Sequence, residues 1–187
     1  MKVYVRISVF ITCLLIQCLL PARSQLRLTP PHPLTGDMRR VIGAYPSGFR
    51  SITGELLEKN QQSAEYRSTF LVSGATESTV TRHYGEPERF SWQALLLRTE
   101  DFDKARRTFR QRFGQLDRLT SDGVRFVGTY ETPEEGKKFT SVLFSPDTDT
   151  GPMRDLRMEL QLQFRTPMEW EIRVLVYDVA ERSATDQ

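Results

Sequence analysis

The segment from Trp92 to Leu119 constrains the fold of this chain more than any other, because it predicts a buried strand that leads directly into a helix. Within residues 92–98, alternate positions are apolar on one side of the pleat, and Leu95 and Leu97 fall on the other side. Both faces of such a strand need cover, so it belongs inside a sheet rather than at its edge. We predict that residues 92–98 form a central strand.

The residues that follow Thr99 predict a helix that packs on this sheet. Thr99 can cap the helix, and the acidic residues of the first turn suit the positive end of the helix dipole. Apolar residues then recur at spacings of three and four, which places them on one stripe. The stripe contains Phe102, Ala105, Phe109, Phe113 and Leu116. We expect a helix over residues 100–119 with this stripe facing the sheet.

Periodicity predicts one shorter helix and six further strands elsewhere in the chain. The helix covers residues 34–45, with Thr35 near its cap. The strands cover residues 49–57, 66–72, 124–131, 137–145, 156–165 and 168–176, and a helical turn is the alternative for residues 49–57. Residues 74–89 have no clear pattern and are interpreted as a long loop, the kind of segment in which binding and catalytic sites are common.

The last two strands alternate apolar and polar residues so regularly that they suggest a register. Apolar side chains must share one face, which requires the residue numbers of opposed pairs to have an even sum. A three-residue loop over 165–167 satisfies this condition and places Phe164 opposite Met168 and Leu160 opposite Ile172. It also places Glu159 opposite Arg173, a favourable cross-strand pair. We predict this hairpin.

The predicted fold is α+β: an antiparallel sheet of about six to seven strands with two helices packed on one face. A single domain spans residues 34–179, an extended leader precedes it at 25–33, and a polar tail follows at 180–187. Each helix is followed by strands, a loose echo that suggests two αβββ-like halves.

The N-terminus predicts export from the cytoplasm. Lys2 and Arg6 precede an apolar run over residues 7–20, and small residues follow at Ala22 and Ser24. This is the pattern of a signal peptide over residues 1–24, with cleavage between Ser24 and Gln25. No later segment of the sequence is apolar for long enough to span a membrane. We expect a secreted or periplasmic protein without a transmembrane segment in the mature chain.

Removing the signal peptide excludes several classes of chemistry. Both cysteines, Cys13 and Cys18, lie within residues 1–24, so the mature chain has no thiol for a disulfide, a thiolate metal site or a catalytic nucleophile. Lysine plus arginine falls from 26 to 23 against 24 acidic residues, which changes the formal net charge from +2 to −1. The mature chain therefore offers no general electrostatic attraction for nucleic acid.

The second half of the predicted long helix carries a basic face. Arg106, Arg107, Arg110 and Arg118 lie away from the Phe102 stripe, and Arg112 lies at the edge of that stripe. Such a face could bind an acidic partner or a phosphate-bearing surface. The alternative is an ordinary solvated helix face whose cations complement the dipole.

His83 is the other candidate for a site residue. It lies near Glu86 and Glu88 in the predicted loop 74–89, but zinc usually takes three or four ligands and no second histidine is near. The segment that begins at Asp147 departs from the calcium-loop pattern at three positions. We expect no metal site and no cofactor, although paired carboxylates among Glu65, Glu131, Glu134 and Glu135 remain open for a hydrolase.

These observations predict a non-catalytic secreted or periplasmic binding module whose partner is a protein or an apolar ligand of the cell envelope. It would expose a contiguous apolar or arginine-rich patch. The alternative is an extracytoplasmic hydrolase with a site around loop 74–89, which would need a pocket with convergent polar groups. A subunit of an envelope assembly, with an uncovered edge strand, is a third possibility.

Overall fold

The computed structural model describes residues 33–179. The predicted signal peptide, residues 25–32 of the predicted leader and the predicted tail at 180–187 lie outside the described residues. Within residues 33–179 the chain forms two α-helices, nine strands and two short 3-10 turns. The helices are α1 (Pro33–Ala44) and α2 (Phe102–Leu116), and the 3-10 turns are Tyr45–Ser47 and Arg50–Ile52. The strands are β1 (Thr53–Lys59), β2 (Ser63–Ser68), β3 (Glu77–His83), β4 (Arg89–Thr99), β5 (Thr120–Ser121), β6 (Val124–Gly128), β7 (Phe139–Pro146), β8 (Leu156–Arg165) and β9 (Glu169–Asp178).

The nine strands form one antiparallel sheet in the order β1-β2-β3-β4-β9-β8-β7-β6-β5. Helix α1 precedes a meander of four strands, and α2 precedes a meander of five. The two meanders meet where β4 pairs with β9. The predicted similarity between the two halves is therefore present in the order of their helices and strands. The predicted α+β class is confirmed, but the prediction of six to seven strands is wrong.

The two missed strands are β3 and β5. β3 divides the segment predicted as one long loop and leaves only residues 84–88 between it and β4. Its core-facing side carries Val80 between Ser78 and Arg82, so it lacks the apolar alternation that marks a half-buried strand. β5 has two residues and pairs with β6 around Asp122 and Gly123, which both have positive φ.

Both helices pack on one face of the sheet and enclose the core. Helix α1 contributes Leu34, Met38, Val41 and Ile42, all fully buried. In α2, Ala105, Phe109 and Leu116 are buried, and Phe102 and Phe113 pack against the same cluster. The predicted apolar stripe of the long helix is therefore confirmed.

The helix caps differ from those predicted. Asp101 caps α2, because its carboxylate accepts a hydrogen bond from the backbone N–H of Lys104 at 2.9 Å. Thr99 instead accepts a weaker bond from the N–H of Asp101 at 3.3 Å. Helix α1 begins at Pro33, and the Thr35 hydroxyl donates to the carbonyl of Gln115 at 3.1 Å, which ties the two helices together.

A β-bulge interrupts β4 at Leu96. The ladder to β9 pairs Leu95 with Arg173 and then Leu97 with Ile172, which leaves Leu96 as the extra residue. Leu96 is buried in the core and Leu97 packs against it, so the prediction that Leu95 and Leu97 share a face is wrong. The bulge reverses the alternation of the strand, and Arg98 consequently lies on the face opposite the helices.

The hairpin of β8 and β9 has the predicted faces but a different register. Leu160 pairs with Val174 and Phe164 with Trp170, so each residue of β8 pairs two positions further along β9 than predicted. The loop covers residues 166–168 rather than 165–167, and both loops satisfy the even-sum condition. The even-sum condition determines which side chains share a face, but it cannot distinguish two registers that differ by two residues.

Strand ends also differ. β2 ends at Ser68 rather than residue 72, and residues 129–138 form a longer connection between β6 and β7 than predicted. Residues 50–52 form a 3-10 turn before β1, so the segment predicted as strand 49–57 contains both structures.

Candidate functional site

The face of the sheet opposite the helices, here called the open face, is the candidate site. The cross-strand register aligns its side chains in rows such as Leu143, Glu159, Leu175 and Gln93. The open face includes Leu57, Glu65, Glu77, Thr79, Thr81, Ser91, Gln93, Leu95, Arg98, Val127, Phe139, Ser141, Leu143, Arg157, Glu159, Gln161, Gln163, Arg165, Glu169, Glu171, Arg173, Leu175 and Tyr177. Its composition is mostly polar, with apolar residues at specific places.

A buried carboxylate lies within the open face. The Glu171 side chain is only 7% exposed. Arg98 donates to Glu171 Oε1 from Nε at 2.9 Å and from Nη2 at 2.7 Å, and Arg173 Nε donates to Oε2 at 3.1 Å. A third guanidinium, that of Arg165, has its Nε 3.9 Å from Oε2. One carboxylate thus contacts three arginines.

Two further acids make this arrangement electrically neutral. Arg173 Nη2 also donates to Glu77 Oε1 at 3.2 Å, and Arg98 Nε lies 3.4 Å from Glu169 Oε2. The resulting Glu171 cluster contains three arginines and three glutamates: Arg98, Arg165, Arg173, Glu77, Glu169 and Glu171. Charges that are removed from water need partners of this kind, because an unpaired buried charge is costly.

The network determines the protonation state of Glu171. Burial by itself would raise the pKa of this carboxyl, but the hydrogen bond from Arg98 and the charge and hydrogen bond of Arg173 outweigh burial and lower the pKa below its usual range. Glu171 in turn raises the pKa of Arg98 through the same hydrogen bond. Glu171 and Arg98 are therefore both charged at neutral pH.

Long-range features assemble the Glu171 cluster, which explains why the sequence did not reveal it. Arg98 and Glu171 are 73 positions apart, and only the bulge at Leu96 places Arg98 on the open face. The predicted pair of Glu159 and Arg173 does not form, because Leu175 lies opposite Glu159. The one available signal was the run of charged residues at alternate positions in β9, namely Glu169, Glu171 and Arg173.

A groove of about 600 Å³ lies on the open face next to the cluster. Its lining comes from six neighbouring strands, β1 to β4 and then β9 and β8. Leu57, Leu95 and Leu175 supply its aliphatic part, and Gln93 and Gln161 add uncharged amides. Leu95 is only 2% exposed although it faces away from the helices, so neighbouring side chains cover it.

Exposed apolar side chains lie at both edges of the open face. Leu57 and Leu71 line one shallow cavity beside β1, and we call them the β1 patch. Val127, Phe139 and Leu143 form the β7 patch on β6 and β7. Each of these five side chains is about half exposed.

The predicted arginine face lies on the outer side of α2, away from the open face. Arg106 forms an ion pair with Asp103 at 2.8 Å. Arg107 and Arg110 are exposed and make no ion pair with any other residue of 33–179. Arg112 differs from them: it is partly buried, it donates to Gln115 Oε1 at 3.1 Å, and burial lowers its pKa. A role for Arg106, Arg107 and Arg110 in binding stays a prediction.

His83 is the last residue of β3 and is exposed. Its Nε2 lies 3.0 Å from Ser91 Oγ, a contact between neighbouring strands, but His83 has no carboxylate partner among residues 33–179. Glu88, predicted to lie near it, binds Arg82 Nε at 2.6 Å instead. The structure does not assemble the residues of the predicted loop 74–89 around His83.

A second polar cavity, of about 490 Å³, lies where α1 ends and β9 ends. Burial is the main cause that raises the pKa of Tyr45 to about 12, and the neighbouring Asp178 adds to this effect through its charge and a hydrogen bond. Burial also raises the pKa of Asp178. Tyr45 therefore keeps its proton at neutral pH and donates a hydrogen bond to Asp178, which suits a structural link better than a catalytic base.

Within residues 33–179, no three histidine, cysteine or acidic side chains are placed to hold a metal ion. The helices of this part of the chain include none with the length and hydropathy to cross a bilayer. Asp147, predicted to lie in a strand connection, accepts a hydrogen bond from the N–H of Arg125 at 3.0 Å.

Comparison of the chain with protein-family models, with curated proteins and with solved structures found no match.

Proposed function

We propose that this protein is a non-catalytic, extracytoplasmic binding module that binds a partner protein through the open face of its sheet. The observation that supports this proposal is the neutral Glu171 cluster on the face that the helices leave uncovered, with an apolar patch at each edge of that face.

The charge state of the open face suits a protein partner. Because each arginine of the Glu171 cluster has a glutamate partner, the cluster neither repels an uncharged surface nor concentrates ions of one sign. Protein interfaces are enriched in arginine and aromatic residues and have polar groups whose hydrogen bonds are satisfied. The planar guanidinium groups of Arg98 and Arg165 remain about half exposed and can still bond to a partner.

The distance between the two apolar patches favours a macromolecule over a small ligand. β1 and β7 are separated by six strand spacings in the sheet order, which corresponds to about 29 Å along the sheet at ~4.8 Å per spacing. A small apolar molecule could occupy the central groove but could not contact both patches. A protein partner that buries about 800 Å² on each side could cover both.

The chemistry of the groove supports a non-catalytic role. Its lining combines aliphatic side chains, amides and ion-paired groups, and His83 and Ser91 are not part of it. The hydrolase alternative retains one observation, the contact between His83 and Ser91, without an orienting carboxylate or a surrounding cavity among those described above. Nucleophilic catalysis usually needs all three elements.

The test compares matched charge insertions on the two sides of the molecule. The full chain and the variants Leu57→Glu, Leu143→Glu and Arg107→Glu are immobilised and exposed to the extracytoplasmic fraction of the source cells. We expect a protein that the wild type and Arg107→Glu retain and that both open-face variants lose. Thermal unfolding followed by circular dichroism verifies that each variant is folded.

Two results would contradict the proposal. Retention of the partner by both Leu57→Glu and Leu143→Glu would remove the open face as the interface. Loss of the partner with Arg107→Glu alone would assign the interface to the arginine face of α2.

The proposed export from the cytoplasm has its own test. N-terminal sequencing of the extracytoplasmic protein should give Gln25 as its first residue.

A further inference from the structure

A separate cavity, of about 540 Å³, lies at the end of the sheet where the β8–β9 hairpin turns. Three segments form it: Glu100 just before α2, the connection between β6 and β7, and the hairpin itself. It shares no lining residue with the groove of the open face. Its volume falls within the range of small-molecule sites in proteins.

Aromatic rings form one wall of this hairpin cavity. The rings of Phe164 and Trp170 have centroids 5.1 Å apart with an interplanar angle of 57°. Phe102 packs against Trp170 with a centroid distance of 4.8 Å, so the wall is continuous with the core. Met168, whose side chain is 70% exposed, adds a flexible and polarisable group at the rim.

Two carboxylates without partners lie at the same cavity. Glu100 and Glu135 both line it, and neither makes an ion pair or a side-chain hydrogen bond within residues 33–179. Glu131 and Glu134 in the same connection both contact Lys137, at 3.3 and 3.7 Å. Lys138 is the one cation that lines the cavity, so its lining carries a formal charge of −1.

Aromatic faces next to unpaired carboxylates attract cations with weak hydration. A quaternary ammonium group meets both demands, since its methyl groups contact the rings while its charge interacts with the ring quadrupoles and the acids. It has no N–H donor, so it requires no hydrogen-bond acceptor from the wall. A primary ammonium is more strongly hydrated and would lose more on entry.

We propose that the hairpin cavity binds a quaternary ammonium group of the choline type. The group can belong to a free small molecule or to the headgroup of a choline lipid. The site is independent of the protein interface proposed for the open face, so one can fail without the other.

The two tryptophans of the chain give this proposal a direct test. Trp92 is fully buried and does not line the cavity, whereas Trp170, although only 5% exposed and packed in the core, does line it, so Trp92→Phe leaves Trp170 as the only fluorescent tryptophan. We expect choline to change this fluorescence with saturation. Its uncharged isostere, 3,3-dimethyl-1-butanol, should bind about tenfold more weakly, because the isostere keeps the shape and removes the charge. Calorimetric titration of the wild-type chain supplies the same comparison if Trp92→Phe does not fold.

Matched variants separate the ring contribution from the charge contribution. Phe164→Leu, Glu100→Gln and Glu135→Gln should each weaken choline binding severalfold. Phe70→Leu, which changes a partly buried ring that does not line the cavity, and Glu131→Gln, which changes a carboxylate outside the cavity, should not. Equal affinity for choline and for the isostere would overturn the proposal in favour of a purely apolar cavity. Unchanged affinity of Phe164→Leu for choline would also overturn it.

Binding to phospholipid vesicles distinguishes the two sources of the ligand. Sedimentation with phosphatidylcholine vesicles but not with phosphatidylglycerol vesicles, lost in Phe164→Leu, would support the cavity and assign the lipid headgroup. Binding of free choline without sedimentation would support it and assign a soluble ligand. The absence of both would overturn the proposal.

Discussion

The two faces of the sheet both bury side chains, but they do so by different means. On the helix-covered face, Trp92 and Phe109 are fully buried because two helices exclude water from them. On the open face, Leu95 and Glu171 are almost as inaccessible, yet only the neighbouring side chains cover them. Burial on the first face therefore comes from apolar packing, whereas the burial of Glu171 on the second depends on a charge network. The two faces should therefore respond differently to substitution.

Truncation of an aromatic residue in the covered core should have the largest effect. Phe109→Ala leaves a cavity between α2 and the sheet, and we expect it to lower the free energy of unfolding by about 3–5 kcal/mol. Phe139→Ala removes the same ring from the open face, where it is about half exposed, and should cost less than about 1.5 kcal/mol. Urea denaturation of both variants measures the difference. Equal losses would mean that the open face is as important for stability as the core.

Removal of the central carboxylate of the open face should have the next largest effect. Glu171→Gln leaves three guanidinium groups close together without their shared partner, and we expect a loss of about 2–3 kcal/mol. The matched control is Glu55→Gln, which breaks the 2.7 Å pair with Arg67. Both side chains of that pair are about 65% exposed, so the control should cost less than about 1 kcal/mol. If the free energy of unfolding falls by the same small amount in both variants, the Glu171 cluster behaves as an ordinary surface ion pair.

The pH dependence of stability should identify the same carboxylate. The pKa of Glu171 is lower in the folded chain than the ~4.3 of an unfolded glutamate, so its contribution is fully present above that value and is lost as the pH falls through the folded pKa. The difference in unfolding free energy between wild type and Glu171→Gln should thus be constant near neutrality and shrink below about pH 4. Unfolding curves between neutral and acidic pH measure this difference. A difference that does not change with pH would mean that Glu171 is not held ionised by its arginines.

A smaller effect should come from the cap that anchors α2 on the covered face. Asp101→Ala removes the hydrogen bond to the N–H of Lys104, and we expect a loss of about 1 kcal/mol. Thr99→Ala, at the position where the sequence predicts the cap, removes only the weaker 3.3 Å bond and should cost a few tenths of that. Thermal unfolding of the two variants measures the difference. A larger loss of stability in Thr99→Ala than in Asp101→Ala would mean that Thr99 is the cap.

The contrast between the faces also explains which predictions from the sequence succeeded. Apolar periodicity is a local signal, so it identified the α2 stripe and the face to which each residue of β8 belongs. The register of β8 and β9 depends on which three residues form the loop, a choice that alternation leaves open. β3 was missed because Val80 is the one apolar residue on its core-facing side.

The candidate site was harder to predict because it is defined by pairing between distant strands. The bulge at Leu96 determines on which face Arg98 lies, and no local pattern in the sequence of β4 marks that bulge. Glu77, Arg98 and Arg173 come from β3, β4 and β9, so their proximity follows only from the strand order. The predicted arginine face depends on a single helix, so the exposed positions of Arg106, Arg107 and Arg110 could be predicted while the Glu171 cluster could not. Arg118 was predicted on the same face, but it lies beyond the end of α2 at Leu116.

The smallest effect on stability should come from the apolar patches of the open face, where the comparison between the faces becomes a functional one. Leu143 is about half exposed, so Leu143→Ala should change the free energy of unfolding by less than about 0.5 kcal/mol. The same substitution should weaken binding of a partner isolated through the open face, by about tenfold if the patch is central to the contact and by less if it lies at the rim. Calorimetric titration with that partner, together with the unfolding curve, measures both quantities on one variant. A loss of stability above 1 kcal/mol without a loss of affinity would mean that the exposed leucine supports the sheet itself, and the division between a structural face and a binding face would then be wrong.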